Sequence, residues 1–257
     1  MSKVVSVQLT WKYSPENYLE EPISIELVSG VLEIKDGVAL IELAPEVFHA
    51  DQSISSDLTK KVESRLVAVQ IMTHKNFELT TPSRTDIRED GTKNQFVEVK
   101  FCSMATSVMS GDVVVKDKSG KIISDTKTER LDKQADFAAL VEKHRASDAT
   151  LDHMLKSYQQ SVKDPSNELV HLYEIRDALS EAFGSKKAAI AALDITANQW
   201  DEIGKLANSL PLQQGRHRGQ AAGVLRSAEP KELEIARKSV SCLVEKYLNF
   251  LETCSSH

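Results

Sequence analysis

The densest run of reactive side chains is His171-Leu172-Tyr173-Glu174-Ile175-Arg176-Asp177. On a helix, residues three and four apart are neighbours. His171 can therefore meet Glu174, while Tyr173, Arg176 and Asp177 form a second group. An arginine fork grips a carboxylate or phosphate at two points, and a tyrosine can orient it. The same residue types also lock neighbouring helices through Arg–Asp or Arg–Glu networks, and amphipathic helices commonly carry them for that purpose.

A second run, Gln213-Gln214-Gly215-Arg216-His217-Arg218-Gly219, follows Asn208 and Pro211-Leu212. Its two arginines flank a histidine, a side chain that titrates near neutral pH. Both cations disfavour the protonated imidazole and leave His217 suited to accept a proton. Gly215 and Gly219 permit close backbone approach or sharp turns. A nucleotide or polynucleotide phosphate fits this chemistry. The competing use is a staple, with Arg216 and Arg218 paired to helix carboxylates. Arg176 and Arg216 are expected to meet in one region, as clamp or as staple, with Asp177 or Glu174 opposing them and His217 at the edge. The candidate ligand-binding set is His171, Tyr173, Glu174, Arg176, Asp177, Asn208, Arg216, His217 and Arg218. For an enzyme, the candidates are His217, Arg216, Arg218, Tyr173, Arg176 and Asp177.

Residues 188–208 have a helix-turn-helix look, with Leu193-Asp194-Ile195-Thr196 as the turn and Trp200 and Ile203 as packing residues. The first half of the second helix offers Asn198, Gln199, Asp201 and Glu202 to a major groove. Two carboxylates beside phosphates are unfavourable, so sequence-specific DNA reading is not expected. His49 with Asp51, and His74 with Glu78, lack a third metal ligand. No zincin, Walker, dinucleotide or nucleophile-elbow motif occurs, and no metal or cofactor is expected. His144 and His153 read as surface or hydrogen-bonded helix residues, Cys102 as a strand core residue and Cys254 as exposed.

The elements that must position these residues divide by period. Val5, Val7, Leu9 and Trp11 alternate with polar residues, as on a half-buried strand. Ile23, Ile25 and Leu27 do the same. Apolar runs at residues 31–34 and 38–43 flank Asp36-Gly37, a hairpin turn signal. Leu58 and Val62 suit a helix starting near Ser56-Asp57. The stretch Arg65 to Thr73 is ambiguous between helix and strand; its β-branched content favours a strand, with Phe77-Glu78-Leu79 continuing it or starting the next. Asp90-Gly91 precedes strand-like Phe96, Val97 and Val99. Val113-Val114-Val115 and Ile122-Ile123 flank Lys118-Ser119-Gly120 as another hairpin, for about seven or eight strands in all.

A helical period begins near Thr128. Leu131, Phe137, Leu140 and Val141 lie on one helix, and Ser147 is the expected cap of the next, with Leu151, Met154, Leu155 and Tyr158. Asp164-Pro165 opens a third with Leu169, Leu172, Ile175, Leu179 and Phe183, ended by Gly184. A short helix spans residues 186–193, Thr196 and Gln199 form a capping box, and residues 211–223 are a loop or broken helix. Pro230 opens a last helix with Leu233, Ala236, Val240, Val244, Tyr247 and Leu251 as its seam. The expected fold class is α+β: a β-rich domain, residues 1–127, and a helical bundle, residues 128–257.

The 257 residues carry 38 acidic and 32 basic side chains, a net charge of -6, which argues against a basic nucleic-acid coat. No apolar run approaches bilayer length, and Met1-Ser2-Lys3-Val4 leads straight into strand-like sequence without a secretory leader. Three scattered cysteines fit a reduced, cytoplasmic location.

The stretch from Asp164-Pro165-Ser166-Asn167-Glu168 through Arg176-Asp177-Ala178-Leu179, with Asn208 and Gly215-Arg216-His217-Arg218-Gly219, resembles a widespread set of uncharacterised bacterial proteins. The likeness covers most of the chain and is strongest from Asp164 to Arg226. More distantly, the helical half resembles HEPN-like domains, many of them RNA-cleaving or defence-associated. Their catalytic motif sets an arginine a few residues ahead of a histidine. Here Arg145 and His153 have seven residues between them and Arg216 and His217 none. The resemblance therefore implies a helical scaffold without a catalytic assignment. The leading expectation is a binding or regulatory module for a protein or an anionic ligand. A HEPN-like RNase or other nucleic-acid-processing protein, of the defence-associated kind, and a helix-turn-helix DNA regulator stand as alternatives. No membrane contact is expected, and the oligomeric state is open.

Overall fold

The computed structural model describes residues 2–96, 114–116, 122–216, 218 and 224–255. The fold class is α+β. Two compact units divide the chain, one formed by Met1–Val69 and Phe77–Thr126, the other by Gln70–Asn76 and Lys127–His257.

The first unit is built on an antiparallel sheet. Its central strand β1 (Val4–Ser14) pairs with β4 (Val38–Leu43) on one side and β6 (Ser83–Arg88) on the other. β2 (Ile23–Leu27) and β3 (Gly30–Lys35) extend it beyond β4, β7 (Lys93–Phe96) extends it beyond β6, and short β5 (Glu78–Leu79) meets the end of β1. Val7, Leu9 and Trp11 are buried, as their alternation demands. Val5 is not: the register shifts between Val4 and Ser6, so Ser6 takes the inward place and Val5 stays exposed. Asp36 and Gly37 both adopt positive φ, 49° and 78°, in the tight turn between β3 and β4. A separate pair, β8 (Val114–Lys116) with β9 (Ile122–Asp125), forms the later hairpin, whose turn lies outside the described residues. Cys102, Val97, Val99 and Val113 lie outside them too.

Two helices in this half depart from the sequence reading. Pro45 opens a short α1 (Pro45–Ala50), and residues 65–73, expected as a strand, continue a 20-residue helix, α2 (Ile54–Thr73). Its stretch from Leu66 to Ile71 is buried on every side. A fully buried helix shows no polar face, so β-branched residues there mimic a strand. The Trp11 indole donates to Thr59, and the Tyr18 hydroxyl donates to the Leu66 carbonyl.

The second unit holds α3 (Thr126–His144, from its second residue), α4 (Ala149–Lys163), α5 (Glu168–Ala182), α6 (Lys186–Ala192), α7 (Ala197–Gly204) and α8 (Pro230–Ser255). Asp148, rather than Ser147, caps α4, accepting the Leu151 amide at 2.6 Å. Asp164 does not cap with its side chain; it precedes a 3-10 turn, Pro165–Asn167, and accepts the Asn167 amide group instead. Gly184 leaves α5 at φ 74°. The Thr196–Gln199 capping box is complete. A π-helical turn, Lys205–Ser209, extends α7. The core is set by Leu151, Met154, Leu172, Ile175, Trp200 and Val244, all fully buried.

Candidate functional site

On α5, Tyr173 is buried and Arg176 one turn on is half-buried, as helical spacing requires. The Arg176 guanidinium lies 4.7 Å from the Tyr173 ring centre and 5.5 Å from that of Trp200. Arg216 reaches the same tyrosine from the loop, 4.2 Å from its centre. The two arginines thus share one aromatic ring, the expected meeting. Arg216 Nη1 also contacts Asp177 Oδ2 at 3.1 Å, a single contact between side chains that are 37% and 50% exposed. Arg176 meets no carboxylate or other acceptor among the described residues. The space its fork occupies exists because residue 204 is glycine: a Cβ there would strike the Arg176 guanidinium.

The loop that delivers Arg216 is held by backbone and by a different arginine. Leu212 is buried, and it bridges to Arg226 through Gln213 N–H to the Arg226 carbonyl and Arg226 N–H to the Pro211 carbonyl. Arg226 then grips Glu232 at 2.6 and 2.7 Å. These bonds hold the Glu232 carboxyl down at about 2 and raise Arg226. The side chains of Gln213 and Gln214 accept from Ser227 and the Ala228 amide. Gly215 permits the final approach, since a Cβ there would sit 2.8 Å from the Ala207 carbonyl oxygen. That carbonyl, in the π-helical turn, accepts the Arg216 N–H at 2.7 Å.

The other expected residues separate into a neighbouring network. His171 Nδ1 is 3.4 Å from Glu174, whose carboxylate accepts from Ser157 of α4. His171 Nε2 lies 3.6 Å from Asp164, and Asn167 joins Asp164 to Arg218. The Asn167 and His171 contacts hold Asp164 below its ordinary carboxyl value. Arg218 also donates to the Gly215 carbonyl. Asn208 has a buried side-chain oxygen with no hydrogen-bond partner among the described residues. His217 and Gly219 lie outside the described residues.

A third constellation escaped the sequence reading. Glu168, 2% exposed, takes both nitrogens of the Arg237 fork at 2.7 and 2.9 Å. His74 Nε2 stands 3.5 Å from the same carboxylate, and its Nδ1 is 3.4 Å from the Tyr158 hydroxyl. Tyr158 and Ser241 both donate to the Ile71 carbonyl. Burial, reinforced by the Arg237 charge, pushes His74 down to about 3; burial pushes Tyr158 up to about 12. The signal was present in the sequence: Glu168 is in helical phase with Leu172, Ile175 and Leu179, three buried residues.

In the helix-turn-helix segment, Trp200 and Ile203 are fully buried; Asp201 pairs with Lys186 and Glu202 accepts from Ser239. His144 is buried and bonded to Glu252, while His153 is exposed. Cys254 is exposed. Among the described residues no cluster of three or more metal-ligating side chains occurs, and no helix is long and apolar enough to cross a membrane. Comparison with family models, with curated proteins and with solved structures yields no match.

Proposed function

We propose that the chain is a cytoplasmic binding or regulatory module whose helical unit takes an anionic group, free or carried on a protein, at Arg176, Tyr173 and Arg216. One observation carries this reading: Arg176 has an open guanidinium fork, stacked on two aromatic rings, with no acceptor opposite it among the described residues. Stacking contributes about 0.5–1 kcal/mol and fixes the fork without consuming its N–H donors. Those donors match the geometry of an oxyanion.

The loop supports the same reading. Arg226 and Glu232 staple it, so Arg216 is not needed for that task. The DNA-regulator alternative gains nothing from the exposed carboxylates Asp201 and Glu202 at the start of α7. The RNase alternative rests on resemblance alone.

Calorimetric titration with acetate and phosphate at low salt tests the proposal. The wild-type protein is expected to bind at least one of them, with binding lost in Arg176→Ala. Equal binding by wild type and Arg176→Ala would remove the proposed site.

A further inference from the structure

We infer that Asp177 is a built-in competitor at this site, and that the ligand it yields to carries a dianionic phosphoryl group. The inference rests on the anion-binding reading above. Two guanidiniums share the Tyr173 ring, and among the described residues Asp177 is the one carboxylate within ion-pair distance of either. With Asp177 in place, one positive charge, on Arg176, is left without a counter-charge among the described residues.

A carboxylate ligand, carrying one charge, satisfies Arg176 and has no reason to dislodge Asp177. Replacing Asp177 on Arg216 with another carboxylate exchanges like for like. A phosphate monoester carries close to two negative charges above its second pKa of about 6 and offers three acceptor oxygens. It matches both guanidiniums, but only when Asp177 releases Arg216. The Asp177 contact is suited to release. It is one contact at 3.1 Å, not a two-point grip, and both side chains are open to water. Exposed pairs of this kind are weak and exchange easily. Arg216 itself stays in position when Asp177 leaves, because its ring contact with Tyr173 and its backbone bond to Ala207 do not involve the carboxylate.

Methyl phosphate, dimethyl phosphate and acetate separate the possibilities. They present a dianion, a phosphodiester monoanion and a carboxylate monoanion without other recognition groups. Titrations at pH 7.5 are expected to show methyl phosphate binding about tenfold more tightly than either monoanion. Asp177→Asn should tighten methyl phosphate roughly two- to fivefold, the worth of the exposed pair it removes. Arg176→Ala and Arg216→Ala should each lose the preference for the dianion. Unchanged or weaker methyl phosphate binding in Asp177→Asn, while wild type binds and Arg176→Ala does not, overturns the competitor role and leaves the site. Equal affinity of wild type for acetate and methyl phosphate overturns the phosphoryl assignment. No binding of any probe by wild type overturns the site and the inference together. Asp177 is exposed, and a denaturant melt of the variant confirms that any change in binding is not a change in folding.

Discussion

Arg237 and Arg216 each face a carboxylate on α5, and the two pairs differ in nearly everything else. Arg237 holds Glu168 at two points, 2.7 and 2.9 Å, and the carboxylate is 2% exposed. Arg216 touches Asp177 once, at 3.1 Å, and half of the Asp177 side chain is open to solvent. The first carboxylate has lost its water and depends on its partner; the second has not. Burial, rather than residue type, makes one pair a structural tie and leaves the other exchangeable. The aromatic rings under Arg176 and Arg216 then perform what the second carboxylate oxygen does for Arg237: they fix the cation, but leave its donors available.

The sharpest way to break this contrast is to remove each arginine. Arg237→Ala strands the buried Glu168 charge and should cost about 3–5 kcal/mol in urea unfolding. Arg216→Ala should cost about 1 kcal/mol or less, and equal costs would mean that the two pairs are not different in kind.

An acid shift probes the buried side alone. The unfolded His74 takes up a proton near 6.5, whereas the folded one resists until about 3. Between those values the unfolded state binds more protons, so stability falls as pH falls. The loss between pH 7 and pH 5 should be about 2 kcal/mol from this group. His74→Asn, which tolerates the left-handed φ of 54° at this position, should flatten that slope in melts at the two pH values. An unchanged slope would assign the acid sensitivity to other groups.

On the open side, two glycines sharpen the comparison. Gly215→Ala meets a backbone carbonyl that cannot easily move. It should cost about 1–2 kcal/mol and weaken anion binding by misplacing Arg216. Gly204→Ala meets only the end of a flexible side chain. It should leave stability within about 0.5 kcal/mol yet weaken binding by pushing Arg176 off its rings, as titration would show.

How much of this could be read in the sequence depended on how local the cause was. The turn at Asp36-Gly37 and the capping box at Thr196 and Gln199 are each decided by a few adjacent residues and appear as expected. Of the expected α8 seam, Ala236, Val240, Val244 and Tyr247 are buried, Leu233 and Leu251 at its ends are only partly so, and Leu243 and Leu248 join it. Residues 65–73 misled because their central part, Leu66 to Ile71, is buried on every side and leaves no exposed polar stripe to reveal the helical period. Val5 misled because a one-residue register shift is invisible to alternation. The meeting of Arg176 with Arg216 was legible as a likeness of chemistry, but the ring that joins them was not. The Arg237–Glu168 pair spans 69 residues of chain, and only the oddity of a carboxylate in phase with leucines pointed to it. The role of Arg226 was hidden because its partner belongs to the following helix.

The seven residues Gln70–Asn76 belong to the helical unit although they lie in sequence between two parts of the other. The helical unit therefore cannot be inherited as one uninterrupted stretch of gene. A recombination event that moved only the coding region for Lys127–His257 would leave the Tyr158 and Ser241 hydroxyls without the Ile71 carbonyl and Glu168 without His74. Shuffling that respects this fold has to carry both segments, which ties the ancestry of the two halves together even though their architectures differ.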